Sequence, residues 1–237
     1  MKAVVLEETR EIVIREVPDA EMKETTDVLL RITSSAICGT DLHFYEGRMR
    51  GIEGGAIGHE PLGVVEEVGS AVKSVKKGDR VTVPTHICCG FCAMCVEGHS
   101  SACLTSNPGA AGAAYGYPNK GGYQGAQAEL LRVPLADANC LKLPGEPGDN
   151  WEDDFVLLAD AFTTGYHAAA LFNNNVRIAM GRDDDKRWNS KLRDMIITGA
   201  AKPSQVVSHR LSLDEAPNAF AKFDARQEGY IKVILKP

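Results

Sequence analysis

The chain opens in short apolar runs broken by turn-forming residues. Ala3-Val4-Val5-Leu6 and Glu11-Ile12-Val13-Ile14-Arg15-Glu16-Val17 mix apolar runs with alternation, and Pro18-Asp19 closes the second. Such patterning predicts β-strands. It continues at residues 28–32, 61–69 and 79–84, and returns at 126–134 and 140–143 after an irregular stretch. Short strands punctuated by Gly and Pro predict an antiparallel, barrel-like β domain.

The period changes after the loop Pro144-Gly145-Glu146-Pro147-Gly148-Asp149-Asn150. Residues 151–172 carry helical spacing, with Asn150 as the expected N-cap and Glu152, Asp153 and Asp154 suiting the positive end of a helix. Thr163-Thr164-Gly165 is the expected point of interruption, and Asn173-Asn174-Asn175 the break. Residues 176–180 predict one short strand, and Gly181 to Asp185 an acidic turn in which Asp183-Asp184-Asp185 reads as a solvated surface. A helix is expected over 188–198, stopped by Gly199. Ser212-Leu213-Asp214-Glu215 is a capping box ahead of another helix to about residue 223, and residues 231–235 end the chain as a strand. The fold class expected is mainly β with helices, α+β.

Composition adds bounds. With 237 residues, 44% hydrophobic and 24% charged, the chain can bury a sizeable core. A net charge of −6 without a basic stripe argues against a nucleic-acid partner. No apolar run has the length to span a bilayer, and the start Met1-Lys2-Ala3-Val4-Val5-Leu6-Glu7 lacks the pattern of a signal peptide, so a cytoplasmic location is expected. Seven cysteines in a chain of this size then point to metal binding or catalysis rather than a disulfide framework.

Four of them, Cys89, Cys92, Cys95 and Cys103, are spaced C-x2-C-x2-C-x7-C. Two-residue gaps let successive thiolates turn toward one centre, which suits a closed tetrahedral zinc site that holds a lobe together and does no chemistry. The ferredoxin alternative continues with x3-C-P, which this run does not; free or disulfide-bonded thiols are the remaining reading. Cys88 shifts the set by one register if it replaces Cys89, and Cys140 reads as a small buried residue. The lobe, about residues 85–125, looks irregular, with little to bury and in need of metal or neighbours to order it.

A second set of donors lies in Cys38-Gly39-Thr40-Asp41-Leu42-His43 and Gly58-His59-Glu60. Cysteine and histidine suit zinc, and the nearby hydroxyl, imidazole and carboxylate groups form a plausible proton path. Together with the four-cysteine run, in this order, these motifs resemble the zinc-dependent medium-chain alcohol dehydrogenases. Asp160 within Leu158-Ala159-Asp160-Ala161-Phe162-Thr163-Thr164-Gly165-Tyr166 is similar to the subgroup containing the glutathione-independent formaldehyde dehydrogenases. The resemblance covers residues 1 to about 170 and about 186 to 237.

It implies a GroES-like catalytic domain in which Cys38, His59 and Asp160 bind a catalytic zinc, with a fourth position left for water or substrate alcohol. Glu60 looks like the neighbouring acid able to approach the metal, and Asp41 like the carboxylate orienting a ligand imidazole. Thr40 and His43 look like the proton relay, passing through a cofactor ribose. Thr164 matches a residue touching the nicotinamide, and Lys232 a basic residue near the cofactor phosphates. Two zinc ions, NAD and a small alcohol or aldehyde follow from the resemblance. His86, His99, His167 and His209 match no such constellation and read as surface or packing residues.

A dinucleotide-binding domain should announce itself by a strand, G-x-G-x-x-G and a helix. The nearest Gly-rich run, residues 109–116, has the wrong spacing and follows no strand. A doubly wound domain needs on the order of 100–150 residues, whereas 173–187 spans fifteen. The expectation is therefore a GroES-like zinc catalytic domain made of 1–172 plus 186–237, with 173–187 a short linker replacing the cofactor-binding domain. NAD is then not expected to bind this chain, and NAD-dependent turnover should be weak or absent. A cofactor-free zinc enzyme activating water, as hydrolase or hydratase, and a non-catalytic zinc-binding assembly module are the alternatives. Apolar surface left uncovered predicts a homo-oligomer.

Overall fold

The computed structural model describes residues 1–173 and 184–237. The first half lays down β1 (Lys2–Glu8), β2 (Glu11–Glu16), β3 (Val28–Ile37), α1 (Gly39–Tyr45), β4 (Pro61–Val68) and β5 (Arg80–Thr82). Short elements follow: β6 (His86–Ile87), α2 (Ala93–Val96), β7 (Ala113–Ala114), β8 (Leu130–Val133), α3 (Ala136–Asn139) and β9 (Leu141–Lys142). The remainder holds α4 (Glu152–Val156), α5 (Ala161–Asn173), α6 (Asp185–Ile197), β10 (His209–Ser212), α7 (Ala216–Asp224) and β11 (Val233–Lys236).

The strands expected from alternation within the described residues are present, but their assembly differs from an antiparallel barrel. Seven strands form one sheet in the order β10-β11-β3-β4-β5-β9, with β8 branching from β3, and among the described residues the path stays open. β10 runs parallel to β11, so the sheet is mixed. A β1–β2 hairpin and a β6–β7 pair stand apart.

β3 is the axis. Of its ten residues only Arg31 is exposed, because β4, β8 and β11 all pair with it. A register shift between Ile32 and Ser34 accompanies a change of face: Leu30 and Ile32 pack with Val65, Val81 and Leu131, whereas Ala36 packs with Leu62, Phe155 and Leu158 under α4 and α6. A third core joins α1 and α7 to the β1–β2 hairpin through Leu42, Phe44, Phe220 and Leu6.

α4 is fixed by charge. Arg80 on β5 is 3% exposed, donates to Asp149 at 2.9 Å and meets Glu152 of α4. Glu152 also accepts Thr33 at 2.7 Å and Ser34 at 2.8 Å. These bonds outweigh the burial that would raise its pKa, and its carboxyl sits below its ordinary value.

Several expectations shift. The helix over 151–172 is two helices, because a 3-10 turn over Leu157–Ala159 ends at Asp160, whose φ of −152° and ψ of −67° leave the helical region. Thr163-Thr164-Gly165 lies inside continuous α5. Asn150 is not the cap: Trp151 is, without a side-chain bond of its own, its amide bonded to Asp149 Oδ1. The segment around Cys38 contains α1, which the pattern did not predict. The Ser212–Glu215 capping box forms as expected.

The 85–125 stretch divides. Its far end is core, with Tyr115 fully buried and Tyr117 6% exposed, while its cysteine-bearing start exposes Phe91, Val96 and Leu104. The acidic run is not a solvated surface in its described part, since Asp184 and Asp185 are 6% and 1% exposed. The strand expected at 176–180 and Asp183 lie outside the described residues.

Candidate metal centre

Strand register gathers the first group. β3 is antiparallel to both β4 and β11, so its C-terminal end meets the beginnings of both neighbours. Ser35 stands opposite Pro61, and Ile37 opposite Val233. The residues just beyond, Cys38, His59-Glu60 and Lys232, therefore converge at one end of three adjacent strands. Asp160 arrives from above through Thr85, whose amide donates to Ala159 O at 3.1 Å and whose hydroxyl donates to His59 O at 3.1 Å.

Cys38 is also the N-cap of α1. Its sulfur accepts the Thr40 amide at 3.4 Å, and its own amide donates to Asp41 at 2.9 Å, a capping box built on cysteine. Asp41 turns its other oxygen to His59 Nδ1 at 3.2 Å and accepts Gln127 Nε2 at 3.2 Å. With Nδ1 held by Asp41, Nε2 is the nitrogen left facing Cys38 and Asp160. Close approach of Gln127 requires Gly58: a Cβ there would lie 2.4 Å from Gln127 Cγ, and its φ is +94°.

The sulfur, imidazole and carboxylate donors of Cys38, His59, Glu60 and Asp160 lie within 4.8 Å of one another. His59 Nε2 is 3.2 Å from Asp160 Oδ2, and Cys38 Sγ is 3.6 Å from the same oxygen. Tetrahedral zinc with its usual bond lengths places N and O about 3.3 Å apart, and S and O about 3.5 Å apart. His59 Nε2 and Glu60 Oε2 are buried without a hydrogen-bond partner. An unmet donor atom beside a thiol and a carboxylate, at tetrahedral spacing, fits a divalent cation.

The charges agree. Burial opposes ionisation of Asp160, yet the His59 contact and the Thr164 hydroxyl hold its carboxyl well below the usual range. Burial lowers and the Asp41 and Asp160 carboxylates raise the affinity of His59 for a proton, and the carboxylates win, so its pKa lies well above its ordinary value. In the absence of another cation, a proton balances this anionic cluster. Lys232 is a second balance. Its ammonium lies 2.6 Å from Glu60 Oε1, and against the cost of burial the carboxylates around it keep it charged.

The other cysteines form a separate cluster. The sulfurs of Cys89, Cys92, Cys95 and Cys103 also lie within 4.8 Å of one another. Cys89 and Cys95 are 3.9 Å apart, and Cys92 and Cys103 4.0 Å, close to the roughly 3.8 Å edge of a tetrahedral zinc–thiolate shell. Backbone amides of Cys89, Phe91, Cys92 and Leu104 point at these sulfurs from 3.3–3.4 Å, an arrangement that favours thiolates. Burial opposes ionisation of Cys103, but hydrogen bonds led by Ser106 bring it down to about 5. Cys88, the register alternative, is outside this group; burial pushes its thiol up to about 11. Cys140 is buried and pushed up to about 12 for the same reason.

The remaining candidates are placed as follows. Thr40 Oγ1 is 3.7 Å from Cys38 Sγ, and His43 lies one turn along α1 on the same side. Thr164 donates to Asp160 Oδ1 at 2.6 Å. Lys232, expected near cofactor phosphates, is buried against Glu60.

The chain is similar to known proteins. The alcohol dehydrogenase GroES-like domain matches residues 24–145, about half of the chain. The chain belongs to that family. A zinc-type alcohol dehydrogenase-like protein, AdhB, of Bacillus subtilis is 44% identical over 169 residues, 70% of this chain and 44% of that protein. The glutathione-independent formaldehyde dehydrogenase of Pseudomonas aeruginosa is 48% identical over 143 residues, 60% of this chain and 36% of that protein. The chain thus spans less than half the length of these relatives. In fold it is similar to an alcohol dehydrogenase from Thermus sp. ATN1, with TM-score 0.86 and 23% identity, aligned over 100% of this chain and 99% of that one. Among the described residues, no helix is long and apolar enough to cross a membrane.

Sequence reasoning missed residues whose role depends on the fold. Gln127 and Thr85 brace Asp41 and His59, but neither stands in a motif. His86 reads as a packing residue, yet its Nδ1 lies 3.0 Å from buried Asp185.

Proposed function

We propose that the chain is the zinc-binding catalytic domain of an alcohol- or aldehyde-converting, alcohol dehydrogenase-like oxidoreductase. Cys38, His59 and Asp160 would hold a catalytic zinc, and Cys89, Cys92, Cys95 and Cys103 a structural one. The observation that carries this reading is the tetrahedral spacing of Cys38, His59 and Asp160, with His59 Nε2 buried and unmet.

Zinc bound there supplies acidification of a hydroxyl and polarisation of a carbonyl. This chain's own residues would orient the site and move the proton, while the two-electron acceptor, NAD, would have to come from outside this chain. Asp41 holds His59 in one tautomer and orientation. Thr40, beside Cys38, would take the proton of a substrate hydroxyl and His43 would pass it toward solvent. Lys232 pairs with Glu60 Oε1 and offsets part of the burial that pushes the Glu60 carboxyl up, and Glu60 Oε2, which has no hydrogen-bond partner, would serve as a reserve donor. The relatives named for alcohols and for formaldehyde favour a small alcohol or aldehyde as substrate.

The eleven residues 174–184 between α5 and α6 would stand in the place of the cofactor-binding domain, which makes NAD a partner that this chain alone does not hold. Apolar Phe91, Val96, Leu104 and Ile231 on the surface support self-association into an oligomer; light scattering that finds only monomer removes that part. Metal analysis of the purified chain should find two zinc ions, and one in Cys38→Ala. Equal zinc content in the two proteins would overturn the catalytic site. Calorimetric titration with NADH should give no binding; saturable binding would overturn the linker reading.

A further inference from the structure

The acidic pair at the start of α6 carries an inference that rests on the metal-site reading above. Asp185 is 1% exposed, and its two oxygens are spent on different elements. Oδ2 lies 3.0 Å from His86 Nδ1 on β6. Oδ1 lies 2.9 Å from the Thr163 hydroxyl. That hydroxyl is also 2.7 Å from the backbone oxygen of Asp160, so its one proton is shared between the two acceptors, at the corner where the chain leaves the helical path. Next to it, Asp184 is 6% exposed. It accepts the Ser101 amide at 2.8 Å and stands 3.5 Å from His99 Nδ1, both in the four-cysteine lobe.

A carboxylate so deeply buried is tolerated only with partners in place, so the position of α6, the lobe and the Asp160 corner are mutually constrained. The charge is further favoured by its place in the first turn of a thirteen-residue helix. His86 follows Thr85, which already joins the backbones of His59 and Ala159. The network therefore encloses the candidate centre from behind without touching a reacting atom.

We infer that Asp185 is a positioning residue for the candidate catalytic metal: through Thr163 it fixes the backbone corner that aims the Asp160 carboxylate at Cys38 and His59, while Asp184 ties that corner to the ordered four-cysteine lobe.

The test uses the full chain, with zinc affinity read by competition against a chromophoric chelator and with the visible spectrum of the cobalt(II)-substituted protein. The parent and Cys38→Ala assign the two sites. Asp185→Asn should weaken zinc at the Cys38 site by about 10–100-fold, the range found when partners behind metal ligands are removed, and leave the four-cysteine site within about twofold. Its cobalt d–d bands should lose intensity or shift. Thr163→Val should reproduce the loss and Thr163→Ser should restore it, a rescue that general destabilisation does not give. Parent-like affinity and spectrum in folded Asp185→Asn and Thr163→Val would overturn the clasp, as would equal loss at both sites. A parent whose zinc content is unchanged by Cys38→Ala sinks the metal-site reading first, and the clasp with it.

Discussion

The two donor clusters are built on opposite plans. The four cysteines fall within fifteen residues, Cys89 to Cys103, and their lobe buries little: Phe91, Val96 and Leu104 are 68%, 73% and 54% exposed. Cys38, His59 and Asp160 are drawn from the whole chain, 122 residues separating the first from the last, and stand on β3, β4 and three apolar cores. A local cluster would have its order supplied by a bound ion and by amides aimed at sulfur. A dispersed cluster has its order supplied by the scaffold, so that an ion would find its ligands already turned toward it. The first should fail when metal is withdrawn and the second when the scaffold is cut.

Chelation should break this contrast most visibly. Structural zinc contributes on the order of 10 kcal/mol to small metal-ordered units. A strong chelator should therefore raise amide exchange through residues 89–104 while β3, β4 and β11 keep their protection. Uniform loss of protection would show that the lobe and sheet are one cooperative unit.

Cutting the scaffold comes next. Arg80→Ala leaves Glu152 charged and buried, and should cost about 3–5 kcal/mol in urea unfolding. It should loosen α4 and the Asp160 corner while sparing the cysteine lobe. The acid response has the same origin. Because the folded Glu152 carboxyl is held below its unfolded value, its stabilisation is present above an unfolded pKa of about 4.3 and is lost as pH falls through the folded one. Thermal unfolding of Glu152→Gln should thus flatten with pH below that point; a slope as steep as in the parent would count against this pair.

Asp41→Asn sharpens the comparison at a single atom. It should weaken zinc at the Cys38 site by about 10–100-fold, as read by chelator competition, with the four-cysteine site unchanged. The smallest effect is expected on the lobe surface. Leu104→Ser removes an exposed side chain and should shift stability by less than about 0.5 kcal/mol. A larger loss in a folded protein would mean that this surface is covered, and size-exclusion at several concentrations would find the oligomer.

Much of this was legible along the chain, for reasons that differ by residue. The cysteine spacing is read directly because its geometry is local. Ser212 and Glu215 form their box because capping needs only the next turn. Cys38 and His59 were recognisable as a motif, but the convergence of their donors depends on β3 pairing with both β4 and β11. Asp160 could be singled out, whereas the break it creates could not: nothing in Leu158-Ala159-Asp160-Ala161 forbids a continuous helix. The solvated reading of Asp184-Asp185 failed because burial of a charge depends on distant partners, here Ser101, His86 and Thr163.

By itself, then, the sequence determined most of the strand positions, the Ser212–Glu215 capping box, the close spacing of the four cysteines and the family resemblance, all properties carried by local pattern and spacing. Tertiary structure decided the open mixed sheet, the broken helix at Asp160, the pairing of Lys232 with Glu60 and the clasp at Asp185. Each of these turns on which segments meet across long separations, where hydrogen-bond and charge partners must be found in space rather than in neighbouring residues.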